Sequence, residues 1–358
     1  YHDNDVLEYW KNLKKPKFLQ YDFLNTFSIY NTNLRHLFFS NKKSFLYAQL
    51  FILNLAKTLN YAPQKSIINY VFSFFNIRVL YMGNSYMTNF PFFLFNNKHD
   101  LSDFLQHDNL NWSAFIVPDF TMAHLTNKKK YIISKLEVEE NMVLDIKEKW
   151  FCLDCYLNSL KSKYRKNMNN ILRSSQDINI KLIQHSDFNN FSNELQILFN
   201  KITRSSKFSG PAFNIRTYLS LIKKNYAKLY GYFLNNQLIA FSSELVDNGE
   251  LYSHYVGFDP EINNKYFIYS RILLETINNA INARCYKIIF GRSASEFKSN
   301  FGAEPIKSHV FIGFKNIILS YVFSFLLKRI HIKPWIQRRP FQSIYNSRSH
   351  SCGFIFML

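Results

Sequence analysis

The chain has 358 residues, a length that suits two domains better than one. Lys and Arg number 44 against 25 Asp and Glu, which gives a formal net charge of +19. Such an excess favours polyanionic partners such as RNA, an anionic membrane surface or a phosphate-rich cofactor. An AT-rich coding sequence would produce the same excess without function. Only nine Gly and nine Pro occur, which argues against long disordered linkers.

The four cysteines, Cys152, Cys155, Cys285 and Cys352, do not form a disulfide framework in a chain of this size. Cys152 and Cys155 have metal-ligand spacing, but no second pair follows, so we expect two thiols, no metal and a reducing cytoplasm. The longest apolar run, Ile317–Leu327, is shorter than the roughly 20 residues that span a bilayer. It predicts a buried helix or one that lies on a membrane surface.

The first half shows a hairpin signal followed by alternating helices and strands. Apolar periodicity and turn residues predict, in chain order, strands at 35–39 and 45–53, a helix at 64–75, a strand at 78–82, a helix at 101–107 and a strand at 113–117.

The second half repeats this plan more clearly. The same signals predict a helix at 154–174, a strand at 178–183, helices at 188–203 and 213–224, a three-stranded meander at 227–234, 238–246 and 251–258, a helix at 267–283, a strand at 286–290, a short helix at 294–300 and a strand at 308–314. We therefore predict two related α/β units, each a mixed, mostly antiparallel sheet flanked by helices, with a boundary near residues 128–141.

The meander and the following helix suggest a ligand site. A helix N-terminus has unpaired N–H groups that can hold a phosphate, and Lys265 and Arg271 lie near that of the helix at 267–283. Strands 251–258 and 286–290 would be neighbours in the sheet. If they splay apart, an extended pantetheine arm could lie between them, bonded to free backbone groups.

The stretch GRSASEFKSNFGAEP at residues 291–305 carries a family resemblance. Together with the order of elements it resembles the FemAB-like proteins of the GNAT superfamily, often labelled peptidoglycan biosynthesis or recognition proteins in bacteria. The segments YRKNM at 164–168, TRS at 203–205 and YMGN at 81–84, followed by Thr88, are also similar. The resemblance spans residues 18–314.

This resemblance implies tandem GNAT-like domains: residues 1–140 degenerate, 141–330 an acyltransferase, and 331–358 a basic tail of unknown order. It implies transfer from acyl-CoA or aminoacyl-tRNA to the amine of a small molecule or cell-wall precursor. Two departures stand out. The phosphate-cradling Gln/Arg-x-x-Gly-x-Gly/Ala is replaced by EINNKY at 261–266, and the Gly-Glu after the Thr is replaced by Asn89 and Phe90. The first puts ordinary CoA binding in doubt, and the second suggests a non-catalytic or acceptor-binding first half.

Each candidate residue has a functional and a structural interpretation. Arg292 and Glu296 would orient a substrate or pair with each other, and Lys298 would bind an anion or face solvent. His254 and Tyr255 are expected on opposite faces of their strand, and either would take the amine proton. Glu244 is a less favoured candidate for the same role. The catalytic candidates are therefore Arg292, Glu296, His254 and Tyr255, and the donor-binding candidates are Val256, Gly257, Lys265, Tyr269, Arg271 and Lys298.

Two functions stay open from the sequence. The first is an N-acyl- or aminoacyltransferase that works by direct attack, with the donor carbonyl polarised by the N–H groups of Val256 and Gly257. The second is a non-catalytic tandem module that binds an anionic polymer or membrane through the basic helix face at 161–173. We expect a cytoplasmic location, with peripheral contact at the inner membrane face, and tRNA as a candidate partner.

Overall fold

The computed structural model describes residues 10, 16–41, 44–54, 76–94, 104–105, 110–122, 131–205, 210–327 and 332–342. The predicted helix at 64–75 lies outside these residues, and only two residues of the one at 101–107 lie within them. None of the described helices is long and apolar enough to cross a membrane.

The described part of the first half contributes two helices and five strands before the chain enters the second half. After a short 3₁₀ turn at Lys17–Leu19, its elements are α1 (Tyr21–Tyr30), β1 (Arg35–Asn41), β2 (Ser44–Asn54), β3 (Asn76–Tyr81), β4 (Phe93–Leu94), β5 (Ala114–Pro118) and α2 (Asp119–Met122).

The second half begins with a long strand and alternates helices and strands. Its elements are β6 (Ile133–Asp145), α3 (Leu153–Ser159), α4 (Ser162–Ser174), β7 (Asn179–Leu182), α5 (Phe188–Ser205), α6 (Thr217–Lys223), β8 (Ala227–Leu234), β9 (Gln237–Asp247), β10 (Glu250–Phe258), α7 (Pro260–Tyr266), α8 (Ile268–Asn282), β11 (Lys287–Gly291), α9 (Ser295–Ser299), β12 (Glu304–Phe314) and α10 (Ile317–Leu327).

The strands of both halves form one sheet. Its order is β1-β2-β3-β5-β12-β6-β11-β10-β9-β8-β7, with β4 paired to β2. Neighbours are antiparallel except for the parallel pairs β3–β5 and β10–β11. The predicted class, a mixed and mostly antiparallel sheet flanked by helices, is confirmed. The predicted limit between residues 140 and 141 falls inside β6, which pairs with β12 and β11, so it is not a linker.

The two faces of the sheet bury separate apolar cores, both rich in aromatic side chains. One core joins α1, α5 and α6 to the sheet, with Phe18, Phe23 and Tyr218 fully buried. The other lies under α3, α4 and α8 around Tyr156 and Leu274. Large rings bury much apolar area each, which explains the high Phe and Tyr content.

Two helices differ from the prediction. The helix predicted at 154–174 is interrupted at Leu160, whose extended backbone forms a β-bridge with Phe341. The loop before α8 is itself a helix, α7, because the Asp259 carboxylate caps its first turn and Pro260 occupies the first helical position.

Residues 332–342 of the predicted tail pack on the second half, and we name them the C-terminal strap. Backbone hydrogen bonds join Lys161 to Pro340 at 2.8 Å and Gln342 to Ser159 at 3.1 Å. The Phe341 ring packs against Trp150. The strap thereby covers the α3–α4 junction.

Candidate active site

Strands β10 and β11 are neighbours in the sheet, as the sequence predicted, and they diverge. They pair only between residues 250–252 and 287–289, although β10 continues to Phe258 and β11 to Gly291. Beyond Tyr252, the edge of β10 that faces β11 is therefore open. This divergence creates the cleft in which an extended donor could bind.

A β-bulge lies in β10 at the start of this cleft. The pairing with β9 shifts between Ser253 and Val256, so one extra residue is inserted. The bulge turns His254 and Tyr255 to the same side, with ring centroids 4.2 Å apart, and both rings pack on Phe213. The expectation that they lie on opposite faces is wrong, because strict alternation holds only for a regular strand.

The imidazole of His254 has both nitrogens occupied. Nε2 donates to the carbonyl of Tyr86 at 2.8 Å, and Nδ1 accepts from the hydroxyl of Tyr218 at 2.6 Å. Burial lowers the pKa of His254 to about 4, although the bond to Tyr86 acts in the other direction. Burial also raises the pKa of Tyr255 far above its ordinary value. Both predicted bases are thus half-buried and neutral at pH 7.

Backbone N–H groups of β10 point into the cleft. The amide of Asp259 donates to Ile239 at 3.2 Å, so residues 257 and 259 face β9, and alternation directs the N–H of Val256 and Phe258 toward the cleft. The predicted Gly257 has another role. A Cβ at that position would lie 2.8 Å from the backbone nitrogen of Phe199, so its small size lets α5 pack closely on β10.

The N-terminus of α8, predicted to hold a phosphate, is already partly capped. The Asn263 side chain accepts a hydrogen bond from the amide of Tyr269 at 2.9 Å. The Arg271 guanidinium is paired with Glu275 at 2.8 Å, and the exposed ammonium of Lys265 lies over the Tyr266 ring. The structure therefore does not bring Lys265 and Arg271 together around an open phosphate site.

An aromatic stack spans the open end of the cleft. Tyr269, at the start of α8, lies between Phe258 of β10 and Phe297 of α9, with centroid distances of 5.7 and 5.2 Å. The predicted donor-binding residue Tyr269 thus links the two sides of the divergence. A donor in this cleft would contact these rings.

Lys298 points inward and holds the loop after β11. Its ammonium donates to the carbonyls of Phe290, Gly291 and Arg292 at 2.9, 3.2 and 2.8 Å. Burial lowers its pKa to about 7, opposed by the charge of Glu139. The loop contains three residues with positive φ, and this backbone conformation directs the three carbonyls toward the ammonium group. The expectation of a solvated or anion-binding lysine is therefore not met by its buried position.

Glu296 and Arg292, expected to pair with each other or a substrate, have different surroundings. The Glu296 carboxylate accepts from the Arg338 guanidinium of the C-terminal strap. Arg292 has a buried Nε with no hydrogen-bond partner among the described residues. It lies near Tyr81, whose pKa burial raises to about 12 while the guanidinium acts to lower it.

Three polar side chains without full partners meet where the two halves face each other. The Tyr81 hydroxyl, Asn89 Oδ1 and Arg292 Nε are buried and unbonded within the described part of the chain. The Asn89 side-chain nitrogen lies 3.2 Å from the position that a Cβ on Gly291 would occupy. We call Tyr81, Asn89 and Arg292 the polar cluster. Sequence reasoning missed Tyr81 and Asn89 as site residues, although Asn89 marked a departure from the family pattern.

Glu244, the less favoured candidate base, lies on the opposite face of the sheet from His254. Its carboxylate accepts from the Asn279 side chain at 3.1 and 3.2 Å. Burial raises its pKa to about 8, only partly offset by Asn279. It lies against α8, outside the surroundings of His254.

Helix α4 carries a basic surface. A shallow pocket of about 560 Å³ is lined by six residues of this helix: Ser162, Arg165, Lys166, Asn169, Leu172 and Arg173. Helix α4 contacts both α7 and α8. The helix that carries this basic surface therefore packs beside α7 and α8.

Cys152 and Cys155 lie close together at the start of α3. Their sulfurs are 2.8 Å apart, and Cys152 accepts from the amide of Cys155 at 3.3 Å. No group of three or more metal-ligating side chains occurs within the described ranges.

Comparison with known proteins supports an acyltransferase. Residues 162–299 match the model of the acetyltransferase (GNAT) domain. The crystal structure of FemX is similar with a TM-score of 0.52, 11% identity and coverage of 90% of this chain and 98% of that one. L-PGS from Bacillus licheniformis gives a TM-score of 0.49, 13% identity and coverage of 91% and 97%. No curated protein sequence matches the chain.

The matched range contains the meander, the bulge, the divergence and the loop with Arg292, so the family match and the geometry fall on the same residues. The FemX likeness concerns the fold of nearly the whole chain. Residues 162–299 thus match a GNAT acetyltransferase domain, which confirms the predicted GNAT resemblance for this part of the chain.

Proposed function

We propose that this chain is an N-acyltransferase that moves an acyl or aminoacyl group from an activated donor to an amine in the cleft between β10 and β11. The observation that carries the proposal is the divergence of these strands beside a bulge, inside the GNAT domain. In the transfer, the amine nitrogen bonds to the donor carbonyl carbon, and the bond from that carbon to the thiolate or ribose oxygen breaks. The amine proton passes to water or to the leaving group.

The backbone of β10 supplies the electrostatic part of this chemistry. The N–H of Val256 faces the cleft and would donate to the donor carbonyl oxygen as negative charge develops on it. His254 would act through position rather than as a base, because its ring bonds Tyr86 and Tyr218 and its pKa is about 4. In this mechanism a charged side chain would therefore be needed only to hold the acceptor.

The polar cluster is the acceptor site that we propose. Arg292 Nε and the Tyr81 hydroxyl offer donors, and Asn89 Oδ1 offers an acceptor, all buried and unbonded among described residues. Burying such groups without partners is costly, so a ligand that bonds them would be favoured. Carboxyl or carbonyl groups beside the reacting amine suit this set, and an amino-sugar peptide precursor of the cell envelope offers both.

Aminoacyl-tRNA is the donor that the structure favours over acyl-CoA. Helix α7 and the Asn263 cap occupy the place of an open pyrophosphate loop. The basic face of α4 lies beside it and suits a nucleic-acid backbone. The net charge of +19 points the same way.

The test is transfer of a radiolabelled group by the full chain from aminoacyl-tRNA or acyl-CoA to amine acceptors that carry a carboxylate. We expect tRNA-dependent transfer, and Arg292→Ala should lower kcat/KM for the acceptor about 10- to 100-fold with donor binding unchanged. Arg284→Ala, an exposed arginine on the α8–β11 loop, is the matched control. Transfer from acyl-CoA alone would overturn the donor assignment, and no transfer from either donor would overturn the activity.

A further inference from the structure

Helix α10 presents its apolar side chains outward. Ile317, Ile318, Tyr321 and Val322 are 63%, 69%, 65% and 44% exposed. These positions follow steps of one, three and four, so they form a single stripe on the helix surface. An exposed apolar stripe of this kind marks a surface that meets another molecule or a membrane.

The inward face of α10 is less apolar than the outward face. Ser320 is buried, and its hydroxyl donates to the carbonyl of Asn316 at 3.2 Å. The Phe323 ring stacks on Phe314 with centroids 4.5 Å apart. The helix thus packs on β6 and β12, and most of its described large apolar side chains are directed to solvent.

The chain around α10 is exclusively cationic. From Pro305 to Leu358 the sequence contains no Asp or Glu, whereas Lys and Arg occur throughout this stretch. The basic residues are Lys307, Lys315, Lys328, Arg329, Lys333, Arg338, Arg339 and Arg348. Helix α10 itself has no charged residue, and Lys315 and Lys328 lie just outside its two ends.

We propose that α10 docks this protein onto a membrane surface that contains anionic lipids. The apolar stripe would enter the boundary between headgroups and acyl chains, and Lys315 and Lys328, which flank the helix in the sequence, would bind lipid phosphates. An apolar protein partner would satisfy the stripe alone. The 54 positions from 305 to 358 contain no acidic residue. This favours an anionic bilayer over an apolar protein partner, because an anionic surface would attract the uncompensated positive charge.

The docking helix is remote from the acyl-transfer cleft. It contacts β6 and β12, and it follows the end of β12 where Gly313 pairs with Ile133. The cleft lies at the other end of β6, where Met142 pairs with Gly291. At about 3.3 Å per residue the two ends of this strand are about 30 Å apart. Membrane binding and turnover of soluble substrates are therefore separable, and docking does not depend on the proposed reaction.

The experiment is co-sedimentation of the full chain with vesicles of phosphatidylglycerol and phosphatidylcholine, or of phosphatidylcholine alone. We expect at least about tenfold stronger partitioning to the anionic vesicles, and loss of at least about tenfold in the double variant Ile318→Glu, Val322→Glu. The matched control, Phe151→Glu with Ile197→Glu, makes the same charge change at two exposed apolar positions elsewhere and should bind like the original chain.

Three results would overturn the proposal. The original chain could stay in the supernatant, or the helix and control variants could lose binding equally, which would leave net charge as the only cause. Size-exclusion chromatography could also show that the original chain is a dimer and the helix variant a monomer, which would make the stripe a contact between copies. Because the substituted residues are exposed, both variants should keep the thermal unfolding midpoint, and this is measured first.

Discussion

The carboxylate of Glu296 is paired with the guanidinium of Arg338, 42 residues later in the chain. This ion pair joins α9 to the C-terminal strap, and it leaves Arg292 outside the pairing that the sequence suggested. Both side chains are about 40% exposed. Because solvent screens such charges, the pair should stabilise the fold only weakly.

A double-mutant cycle with Glu296→Gln and Arg338→Gln tests this. We expect a coupling free energy of about 0–1 kcal/mol in urea unfolding. A coupling above about 2 kcal/mol would show that the strap excludes water from the pair. If Glu296 contacts the substrate as well, Glu296→Gln should lower kcat/KM more than Arg338→Gln does.

Lys298 should be a strong determinant of stability. Replacement by Met removes the donor for three carbonyls at the end of β11, and we expect a loss of about 2–4 kcal/mol in the free energy of unfolding. Lys265→Met, at an exposed lysine, is the control and should change stability by less than about 0.5 kcal/mol. Equal effects of the two substitutions would contradict the inward role of Lys298.

The half-buried His254 predicts acid sensitivity of the folded state. Its pKa is about 4 in the folded state and near 6.5 when unfolded, so the unfolded chain binds more protons between these values. Stability should therefore be retained above pH 6.5 and fall as the pH drops toward 4, by about 2 kcal/mol at pH 5 from this residue.

The measurement is urea unfolding from pH 7 to pH 5, compared between the original chain and His254→Gln. The variant should lose stability more gently over this range, although it is less stable at pH 7. The buried His36, whose pKa burial also lowers to about 4, stays in both proteins and supplies the same background. Identical slopes would show that His254 titrates normally. The pH–rate profile of transfer should have the same midpoints in the original chain and in His254→Gln, because we do not expect His254 to act as the base.

The Phe341 ring should leave room only for glycine at position 302. Its φ is +87°, and a Cβ there would overlap the Phe341 ring of the C-terminal strap. Gly302→Ala should destabilise the chain by about 2–4 kcal/mol, from backbone strain of about 1 kcal/mol and steric overlap of about 1–3 kcal/mol.

The double variant Gly302→Ala with Phe341→Ala separates these causes. With the ring removed, the glycine substitution should cost only about 1 kcal/mol, the part due to backbone conformation. An unchanged cost in the Phe341→Ala background would show that the strap does not contact Gly302 in solution. Thermal unfolding of the four proteins gives this cycle.

The strands and helices of the second half could be predicted because their signals are local. Turn residues such as Asn235, Asn236 and Asn248 adopt the positive φ that the hairpins require, and the meander has nearly the predicted bounds. The neighbouring position of β10 and β11 was predicted from the order of elements. The capping role of Asp259 was readable too, since Asp-Pro is a helix-start signal.

The composition of the site depended on contacts that sequence spacing does not record. The bulge brings His254 and Tyr255 to one side, and no local pattern marks the extra residue. Tyr81 reaches Arg292 only because β5 and β12 pair and join the two halves in one sheet. Glu296 pairs with a residue of the tail, where the sequence has no periodicity. Long-range pairing decided these positions.

The placement of β6 has a mechanical consequence. Its hydrogen bonds to β12 on one edge and β11 on the other would have to break before the two halves could rotate apart near residue 140. These bonds oppose a hinge motion near residue 140 of the kind that closes two domains around a substrate in other enzymes. A substrate of the proposed reaction would therefore enter a frame in which β6 ties the strands of the two halves together.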